Sequence, residues 1–349
     1  MKEISRLVRP SVRELKAYHV SEPDVAVKLH ANESPFNLSE KLRELVAREI
    51  ETLDFNRYPD PSCAKLRDAF ALRLGVRPAQ VLLGNGSDEL IQMIIMAFGG
   101  QGGQVLIPLP TFSMYRNIAL SLGENVTSVP LDSSFDLDLP AMLKEKGARR
   151  SITFLSYPNN PTGNCFSEAA ISEILEKSQG IVVVDEAYFD YSKKSFISRL
   201  KDYPNLIILR TLSKVGLASL RLGALIASEK ITDIVNRVRL PYNIGSMQQA
   251  VALAALESGS DIEKGVGLII KERARMCELL SDIEGIEIFR SDSNFILFRA
   301  LDADLTFNAL VKRGVLIRNL NSDGALKNCL RVTIGSAEEN DSFINALRN

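Results

Sequence analysis

Short, uninterrupted runs of apolar residues recur through the first two thirds of the chain and predict β-strands. Uninterrupted runs are typical of strands that are covered on both faces, whereas alternating apolar and polar positions are typical of half-exposed strands. We therefore expect a central sheet that is buried on both sides. Its predicted strands are Val81-Leu82-Leu83, Val105-Leu106-Ile107, Ser151 to Leu155, Ile181 to Val184, Leu206 to Leu209 and Ala224 to Ala227.

Segments with the periodicity of helices lie between these strands. The clearest cover residues 87–98 and 112–122, and a long helical stretch over residues 246–282 has a predicted break at Gly259. Such alternation of strands and helices is typical of an α/β fold with a mostly parallel, doubly wound sheet.

The last third of the chain has shorter apolar runs around a helix near residues 305–312, with a final helix after them, and predicts a smaller α+β domain. At roughly 150 residues per domain, a chain of 349 residues is expected to form about two domains. We predict a large domain over residues 38–260 and a small domain built from residues 1–37 and 261–349. The runs in the small domain are Glu287 to Phe289, Phe295 to Phe298, Val315 to Ile317 and Leu330 to Thr333.

Charge and hydropathy exclude several classes of partner. The 42 basic and 43 acidic residues leave a net charge of −1, which gives no electrostatic reason to bind nucleic acid or an anionic membrane. No apolar run reaches the roughly 18 to 20 residues that span a bilayer, and the first residues lack the apolar core of a signal peptide. We expect a soluble, cytoplasmic protein.

The scarcity of histidine and the spacing of cysteine limit the chemistry. Only His19 and His30 are present, and the four cysteines form no C-x-x-C pair, so a zinc site is hard to assemble and a Ser-His-Asp triad would need one of these two histidines. We expect free thiols in a reducing compartment and no metal. Proton transfers are expected from Lys, Asp, Glu or Tyr.

Four polar segments follow predicted strands, where the ligands of α/β sheets bind. Gly84-Asn85-Gly86-Ser87-Asp88 combines a tight turn with the start of a helix, which favours a phosphate site or an ordinary strand–helix turn. Tyr157 to Gly163 is a loop with two prolines that presents Asn160, either to a ligand or within an Asx turn.

The other two segments carry ionisable groups. Asp185 follows an apolar strand, where a carboxylate needs a cation or hydrogen-bond donors, although capping a helix is a common use of Asp. Tyr188 is close enough in sequence to serve the same site. Lys214, in Ser213-Lys214, follows another buried strand, where desolvation would lower its pKa and favour the neutral, nucleophilic amine; an ordinary solvated lysine is the alternative.

This order of motifs resembles the fold-type-I pyridoxal-phosphate enzymes, and specifically the aminotransferases. The order is Asn-Pro-Thr-Gly at Asn160, Asp-x-x-Tyr at Asp185, Ser-Lys at Lys214 and then Arg221. Further segments resemble the histidinol-phosphate aminotransferase family: Leu15-x-x-Tyr18, His30 to Pro35, Arg57 to Asp60, Pro110 to Tyr115, Val315 to Asn319 and Leu330 to Gly335.

The resemblance implies a role for each matching residue. Lys214 would form the Schiff base with pyridoxal phosphate, Asp185 would pair with the ring nitrogen, and Tyr188 and Asn160 would hydrogen-bond the phenolic oxygen. Phe112 would stack on the ring. The cofactor phosphate would be bound by Ser87, Asp88, Ser213 and Arg221, and by Tyr58 of the second subunit of a homodimer. Arg331 and Arg318 would bind the substrate with help from Tyr18, and Asn32 would lie nearby.

The resemblance also implies a reaction, in which the amino group of histidinol phosphate moves to 2-oxoglutarate to give imidazole-acetol phosphate and glutamate. Two alternatives share these motifs: an aromatic-amino-acid aminotransferase and a threonine-phosphate decarboxylase. A pyridoxal-phosphate-binding regulator is disfavoured, because no DNA-binding segment is recognisable and the charge is not basic. One departure from the family pattern is the spacing from Lys214 to Arg221, which is seven residues instead of eight; Gly216 could absorb the change.

Overall fold

The computed structural model describes residues 4–13, 15, 17, 23–145 and 151–348. Their strands are β1 Val27–Lys28, β2 Val81–Gly84, β3 Gln104–Leu109, β4 Val126–Pro130, β5 Ser151–Ser156, β6 Ile181–Asp185, β7 Leu206–Thr211, β8 Gly223–Ala227, β9 Glu287–Ile288, β10 Phe295–Arg299, β11 Val315–Leu316, β12 Arg318–Asn319 and β13 Cys329–Thr333. Their α-helices are α1 Pro10–Arg13, α2 Glu40–Glu51, α3 Ala64–Leu74, α4 Gly86–Phe98, α5 Ser113–Leu122, α6 Leu139–Glu145, α7 Glu168–Lys177, α8 Phe189–Ser192, α9 Glu229–Asn236, α10 Ser246–Glu257, α11 Ser260–Ser281, α12 Ala303–Lys312 and α13 Ala337–Arg348.

The large sheet has seven strands in the order β2-β8-β7-β6-β5-β3-β4, and β8 alone runs against its neighbours. The apolar runs build a core on each face of it, because successive side chains of a strand point to opposite faces. Val182 and Val184 of β6 pack into one buried cluster, whereas Val183 packs into the other. This confirms the prediction of a mostly parallel sheet covered on both sides.

The C-terminal third forms a smaller antiparallel sheet in the order β12-β13-β10-β9, and α11 contacts β9 and β10 beside it. A separate two-stranded sheet joins β1 to β11 in parallel, so the N-terminal segment packs with the C-terminal third. The exact domain boundaries at residues 37 and 260 stay a prediction.

Most predicted elements appear with small shifts at their ends. The predicted break at Gly259 is confirmed, since α10 ends at Glu257 and α11 begins at Ser260. The single strand predicted at Val315 to Ile317 is instead two short strands, β11 and β12, that pair with different partners. No helix among the described residues combines the length and the apolar character that crossing a membrane requires.

The strand directions bring the candidate residues to one edge of the large sheet. β2, β5, β6 and β7 run the same way, so their carboxyl ends and the loops after them lie at that edge, and the antiparallel β8 starts there. The pairs Gly84–Gly223 and Thr211–Gly223 fix the register of these ends.

Candidate active site

The turn after β2 leaves the start of a long helix open. α4 begins at Gly86, whose φ of +79° lies in the left-handed region that glycine adopts without strain. A Cβ added to Gly223 would lie 2.9 Å from backbone atoms of Gly86 and Ser87, so β8 packs directly against this turn. The first backbone N–H groups of a helix, here including those of Ser87 and Asp88, have no partner within the helix and favour a bound anion.

The loop that is one residue shorter than the family pattern brings an arginine to this helix start. Gly216 turns with φ at +98°, Ala218–Leu220 form a turn of 3₁₀ helix, and Arg221 follows with φ at +46°. Arg221 Nη2 lies 3.1 Å from Asp88 Oδ2 and within 2.9 Å of the position of a Cβ on Gly86. The guanidinium group therefore lies beside the first turn of α4.

Ser213 lies at the same edge of the sheet and is buried just after the end of β7. Its backbone N–H donates to Thr211 Oγ1 at 3.1 Å, and the two hydroxyl oxygens are 2.9 Å apart. The hydroxyl of Ser213, the guanidinium group of Arg221 and the amides at the start of α4 form a set of donors suited to a phosphate group.

Asp185 ends β6 as a carboxylate with only 3% of its surface exposed. The Tyr115 hydroxyl of α5 donates to its Oδ2 at 2.7 Å, and the backbone N–H of Ala187 donates to its Oδ1 at 3.1 Å. Burial raises the pKa of Asp185 to about 6, against the lowering effect of these two hydrogen bonds and of Lys214. A carboxylate held in this way is placed to pair with a cationic group of a ligand.

Lys214 is the primary amine of the site. It lies in the turn after β7, where the Tyr191 hydroxyl donates to its carbonyl oxygen, and its side chain is half-buried. Lys214 Nζ is 5.7 Å from the centroid of the Tyr188 ring. A lysine held beside a buried carboxylate can act as a nucleophile towards the carbonyl group of a ligand.

Tyr188 is buried and held from two sides. Its hydroxyl accepts a hydrogen bond from Asn32 Nδ2 at 2.9 Å, and its ring packs edge-on against Phe295 with centroids 5.2 Å apart. The backbone N–H of Asn32 donates to Thr333 Oγ1 of β13 at 2.9 Å. Asn32, for which the resemblance implied a place near the substrate, therefore touches a residue predicted to serve the cofactor.

The two candidate arginines lie opposite each other on adjacent strands. Arg331 of β13 is paired in register with Arg318 of β12, and side chains of paired residues leave a sheet on the same face. Arg331 is buried and donates to Asn160 Oδ1 and, at 2.9 Å, to the carbonyl oxygen of His30. Arg318 is exposed. The buried arginine thus joins the small sheet to the loop after β5.

The remaining candidates are spread more widely. Phe112 precedes α5 and packs edge-on against Tyr115, with centroids 5.4 Å apart. Tyr58 is 81% exposed in the single chain and stacks on Tyr242 at 4.6 Å. Tyr18 lies outside the described residues.

Sequence reasoning assigned no role to three buried polar side chains on the elements that carry the site. Tyr115 was noted only as part of a motif, yet it holds Asp185. Glu186, the residue after Asp185 in the chain, forms a buried ion pair with Arg210, in which Arg210 Nη2 lies 2.7 Å from Glu186 Oε2. The position of Glu186 next to an apolar strand was the available signal, since a buried carboxylate needs a cation.

The groups gathered at this edge fit pyridoxal phosphate, the cofactor that the resemblance implies. The open start of α4 and Arg221 suit a phosphate, the buried Asp185 suits a protonated ring nitrogen, and Lys214 suits an aldehyde. The close approach of Gly223 to Gly86 leaves the amides of α4 uncovered by any side chain at that position.

Comparison with known proteins agrees with this geometry. Residues 24–347 match the family described as aminotransferase class I and II. A protein named histidinol-phosphate aminotransferase 2 from Nitrosococcus oceani is 43% identical over 99% of this chain and 97% of its own length. One named histidinol-phosphate aminotransferase from Hydrogenobaculum sp. is 39% identical over 97% of this chain and 96% of its own length.

Solved structures share the fold over nearly the whole chain. Histidinol-phosphate aminotransferase from Sinorhizobium meliloti, in complex with pyridoxal-5'-phosphate, superimposes with a TM-score of 0.87 and 24% identity, covering 98% of this chain and 96% of that one. L-threonine-O-3-phosphate decarboxylase from Porphyromonas gingivalis gives a TM-score of 0.79 at 21% identity, covering 92% and 98%. From its sequence and its fold, the chain belongs to the aminotransferase class I and II family, within the group of proteins named histidinol-phosphate aminotransferase.

Proposed function

We propose that this protein binds pyridoxal phosphate at Lys214 and transfers the amino group of histidinol phosphate to 2-oxoglutarate, a step of histidine biosynthesis. The proposed products are imidazole-acetol phosphate and glutamate. The observation that carries the cofactor assignment is the convergence of Lys214, the buried Asp185 and the open start of α4 at one edge of the sheet. Similarity to histidinol-phosphate aminotransferases over nearly the whole chain supports the choice of substrate.

The residues of the chain divide the work of the reaction. When bound, the cofactor supplies an electron-accepting ring that stabilises negative charge at the carbon bearing the amino group. Asp185 would pair with the protonated ring nitrogen, while Tyr115 and the amide of Ala187 keep the carboxylate in position. Lys214 would hold the cofactor, and its Nζ would take the proton from the carbon that bears the amino group.

The paired arginines are proposed to bind the anionic end of each substrate in turn. Guanidinium groups bind phosphate and carboxylate oxygens with two parallel hydrogen bonds, so one pair can serve a phosphate ester and a dicarboxylate. Arg318 and Arg331 share a face of the small sheet, and Arg331 already contacts Asn160 in the loop after β5 of the large sheet. The anion would therefore be held between the two sheets.

We further propose a cytoplasmic homodimer in which Tyr58 of one subunit reaches the phosphate site of the other. The four cysteines are free thiols, as expected in a reducing compartment. The wide exposure of Tyr58 in the single chain supports a role outside its own subunit. The dimer also gives the site a second-subunit component that a monomer would lack.

The test is catalytic efficiency on histidinol phosphate, histidinol and phenylalanine, with 2-oxoglutarate as acceptor and both glutamate and carbon dioxide measured. We expect wild-type protein to prefer histidinol phosphate and to form glutamate. Arg331→Ala should weaken both half-reactions, and Arg318→Ala should reduce the efficiency with histidinol phosphate by roughly 10- to 100-fold, more than with phenylalanine, because a dianion uses both guanidinium groups. Lys214→Ala should abolish turnover.

Arg237, the exposed C-cap residue of α9 that pairs with Asp233, provides the matched control, and Arg237→Ala should leave all three efficiencies unchanged. Equal efficiency on phenylalanine, or an Arg318→Ala variant that keeps the phosphate preference, would point to an aromatic aminotransferase. Release of carbon dioxide in place of glutamate formation would point to a phosphorylated amino acid decarboxylase.

A further inference from the structure

Asn32 makes contacts that a residue reserved for substrate binding would not need. It is buried, lies after β1 and has a φ of +55°, a left-handed conformation that Asn tolerates better than most residues other than glycine. Every polar group of Asn32 is engaged by protein: its N–H donates to Thr333 Oγ1, its carbonyl oxygen accepts from Asn294 Nδ2 at 3.0 Å, and its side-chain amide contacts Thr333 and Tyr188.

In the structure each polar atom of the Asn32 side-chain amide has one partner. Thr333 Oγ1 accepts from the backbone of Asn32 and donates to Asn32 Oδ1 at 3.3 Å, which leaves Nδ2 as the atom that faces the Tyr188 hydroxyl at 2.9 Å. Nδ2 can only donate, so Tyr188 must accept this hydrogen bond.

A tyrosine hydroxyl has one hydrogen to give, and the contact with Asn32 does not use it. Because Asn32 Nδ2 donates to the Tyr188 hydroxyl oxygen, the hydrogen of that hydroxyl is available for a different acceptor. Lys214 Nζ lies 5.7 Å from the Tyr188 ring centroid, so this hydroxyl belongs to the same edge of the sheet as the lysine.

We propose that Asn32 is a positioning residue that fixes the Tyr188 hydroxyl as a donor to the bound cofactor and, through Thr333, ties that donor to strand β13. This inference rests on the proposed function, because it needs pyridoxal phosphate on Lys214. β13 also carries Arg331, two residues from Thr333 and therefore on the same face of the strand. The strand that would bind the substrate anion would thus also determine that the Tyr188 hydroxyl donates its hydrogen bond to the cofactor.

The experiment follows the absorbance of the bound cofactor as a function of pH, which reports the protonation of the nitrogen that joins it to Lys214. A donor to the phenolic oxygen draws negative charge away from that nitrogen and lowers its pKa. Asn32→Gly removes the amide and suits the left-handed backbone, so it should raise the midpoint of the absorbance change by about one pH unit. Thr333→Val, which removes the group that orients the amide, should raise it by less.

The effect must pass through Tyr188. In a Tyr188→Phe background, Asn32→Gly should leave the midpoint where Tyr188→Phe alone puts it. Thr232→Val, at a buried threonine of α9 that bonds to Ser228, is the matched control for loss of a hydroxyl and should not move the midpoint. Asn32→Asp keeps the size and the backbone preference, but its carboxylate would accept a hydrogen bond from the Tyr188 hydroxyl. This variant should therefore shift the midpoint in the same direction as Asn32→Gly.

Each result decides the matter. An unchanged midpoint in both Asn32 variants overturns the inference, as does an equal shift with and without the Tyr188 hydroxyl, which would mean that Asn32 acts directly on the ligand. The proposed function itself requires that wild-type protein shows a pH-dependent cofactor absorbance and that Lys214→Ala abolishes it. If either result is missing, the proposed function fails, so the two failures are distinguishable.

Discussion

Asp185 couples the chemistry of the site to the stability of the protein at the scale of a single residue. Its pKa of about 6 lies above the ordinary value of 3.8 because burial penalises the charged form. The folded protein without cofactor therefore binds the Asp185 proton more tightly than the unfolded chain does. Its contribution to stability is complete below about pH 4 and is lost as the pH rises through 6.

The prediction is that Asp185→Asn changes the pH dependence of unfolding of the cofactor-free protein. Relative to wild type, the free energy of unfolding of the variant should rise between pH 4 and pH 8, by at most roughly 3 kcal/mol. The variant lacks the titrating carboxyl, whose pKa is raised by about two units on folding, and each unit corresponds to about 1.36 kcal/mol. Denaturant unfolding of both proteins across this range measures it. With saturating cofactor the comparison should reverse, because the ring nitrogen is proposed to pair with the Asp185 carboxylate, which only wild type has. A difference between the two cofactor-free proteins that is the same at every pH would contradict the argument.

Individual residues differed in how well the sequence could predict them. Lys214 and Asp185 follow uninterrupted apolar runs, and the cost of burying a charge there marks both as functional candidates. The partner of Asp185 could not be found in this way, because Tyr115 lies 70 residues away and meets it only when α5 packs onto the sheet. Hydrogen bonds between distant residues depend on packing that no local pattern contains.

At the scale of an element, the start of α4 depends on how closely β8 approaches it. The contact is between backbone atoms, so a side chain at Gly223 has no flexible neighbour to displace. The turn itself uses a glycine at Gly86, with φ at +79°. The position of the helix start, and with it the proposed phosphate site, is therefore sensitive to a single methyl group.

We predict that Gly223→Ala weakens cofactor binding. The added Cβ would lie 2.9 Å from Gly86 C and Ser87 N, and the shift that this forces on the turn should raise the Kd for pyridoxal phosphate about tenfold, given the usual cost of overpacking. Fluorescence titration of the cofactor-free protein measures it. Gly267→Ala in α11 is the control, since its Cβ would meet nothing within 4 Å, and it should bind the cofactor normally. Unchanged affinity in Gly223→Ala would mean that the turn does not hold the phosphate.

Elements were predictable where their pattern was strong. The uninterrupted apolar strands β5, β6 and β7 and the break between α10 and α11 were found. β4 was not, because Thr127 and Ser128 interrupt its apolar run and it lies at the half-exposed edge of the sheet. β1 and β12 each contain two residues, which is too short for a period to show.

At the scale of the whole molecule, the proposed dimer makes the site a shared structure. Arg221 belongs to the chain that carries Lys214, and Tyr58 would come from the second chain. Tyr58 is 81% exposed, although its ring stacks on Tyr242 of its own chain. Exposure of this extent is unusual for a residue that would serve a buried site within its own subunit.

The prediction is complementation between two inactive variants. Tyr58→Phe and Arg221→Ala place their lesions in different subunits of each site, so a mixed dimer has one site with both lesions and one with neither. Random exchange should restore about a quarter of wild-type activity, because half the dimers are mixed and half of their sites are intact. Subunit exchange is verified with tagged chains. Failure to regain activity after complete exchange would place Tyr58 in the site of its own chain, or outside any site.

The pairing of β1 with β11 has a consequence for synthesis of the chain. Val27 lies beside Val315, which emerges from the ribosome 288 residues later. At about 5 to 20 residues per second, the N-terminal segment waits roughly 15 to 60 seconds for its partner strand. The strands of the large sheet end at Ala227, so all of them are available to pair before Val315 emerges, and Asn32 waits longer still for Thr333. The nascent protein can therefore build the sheet that carries Lys214 well before it can assemble the part that would recognise the substrate anion.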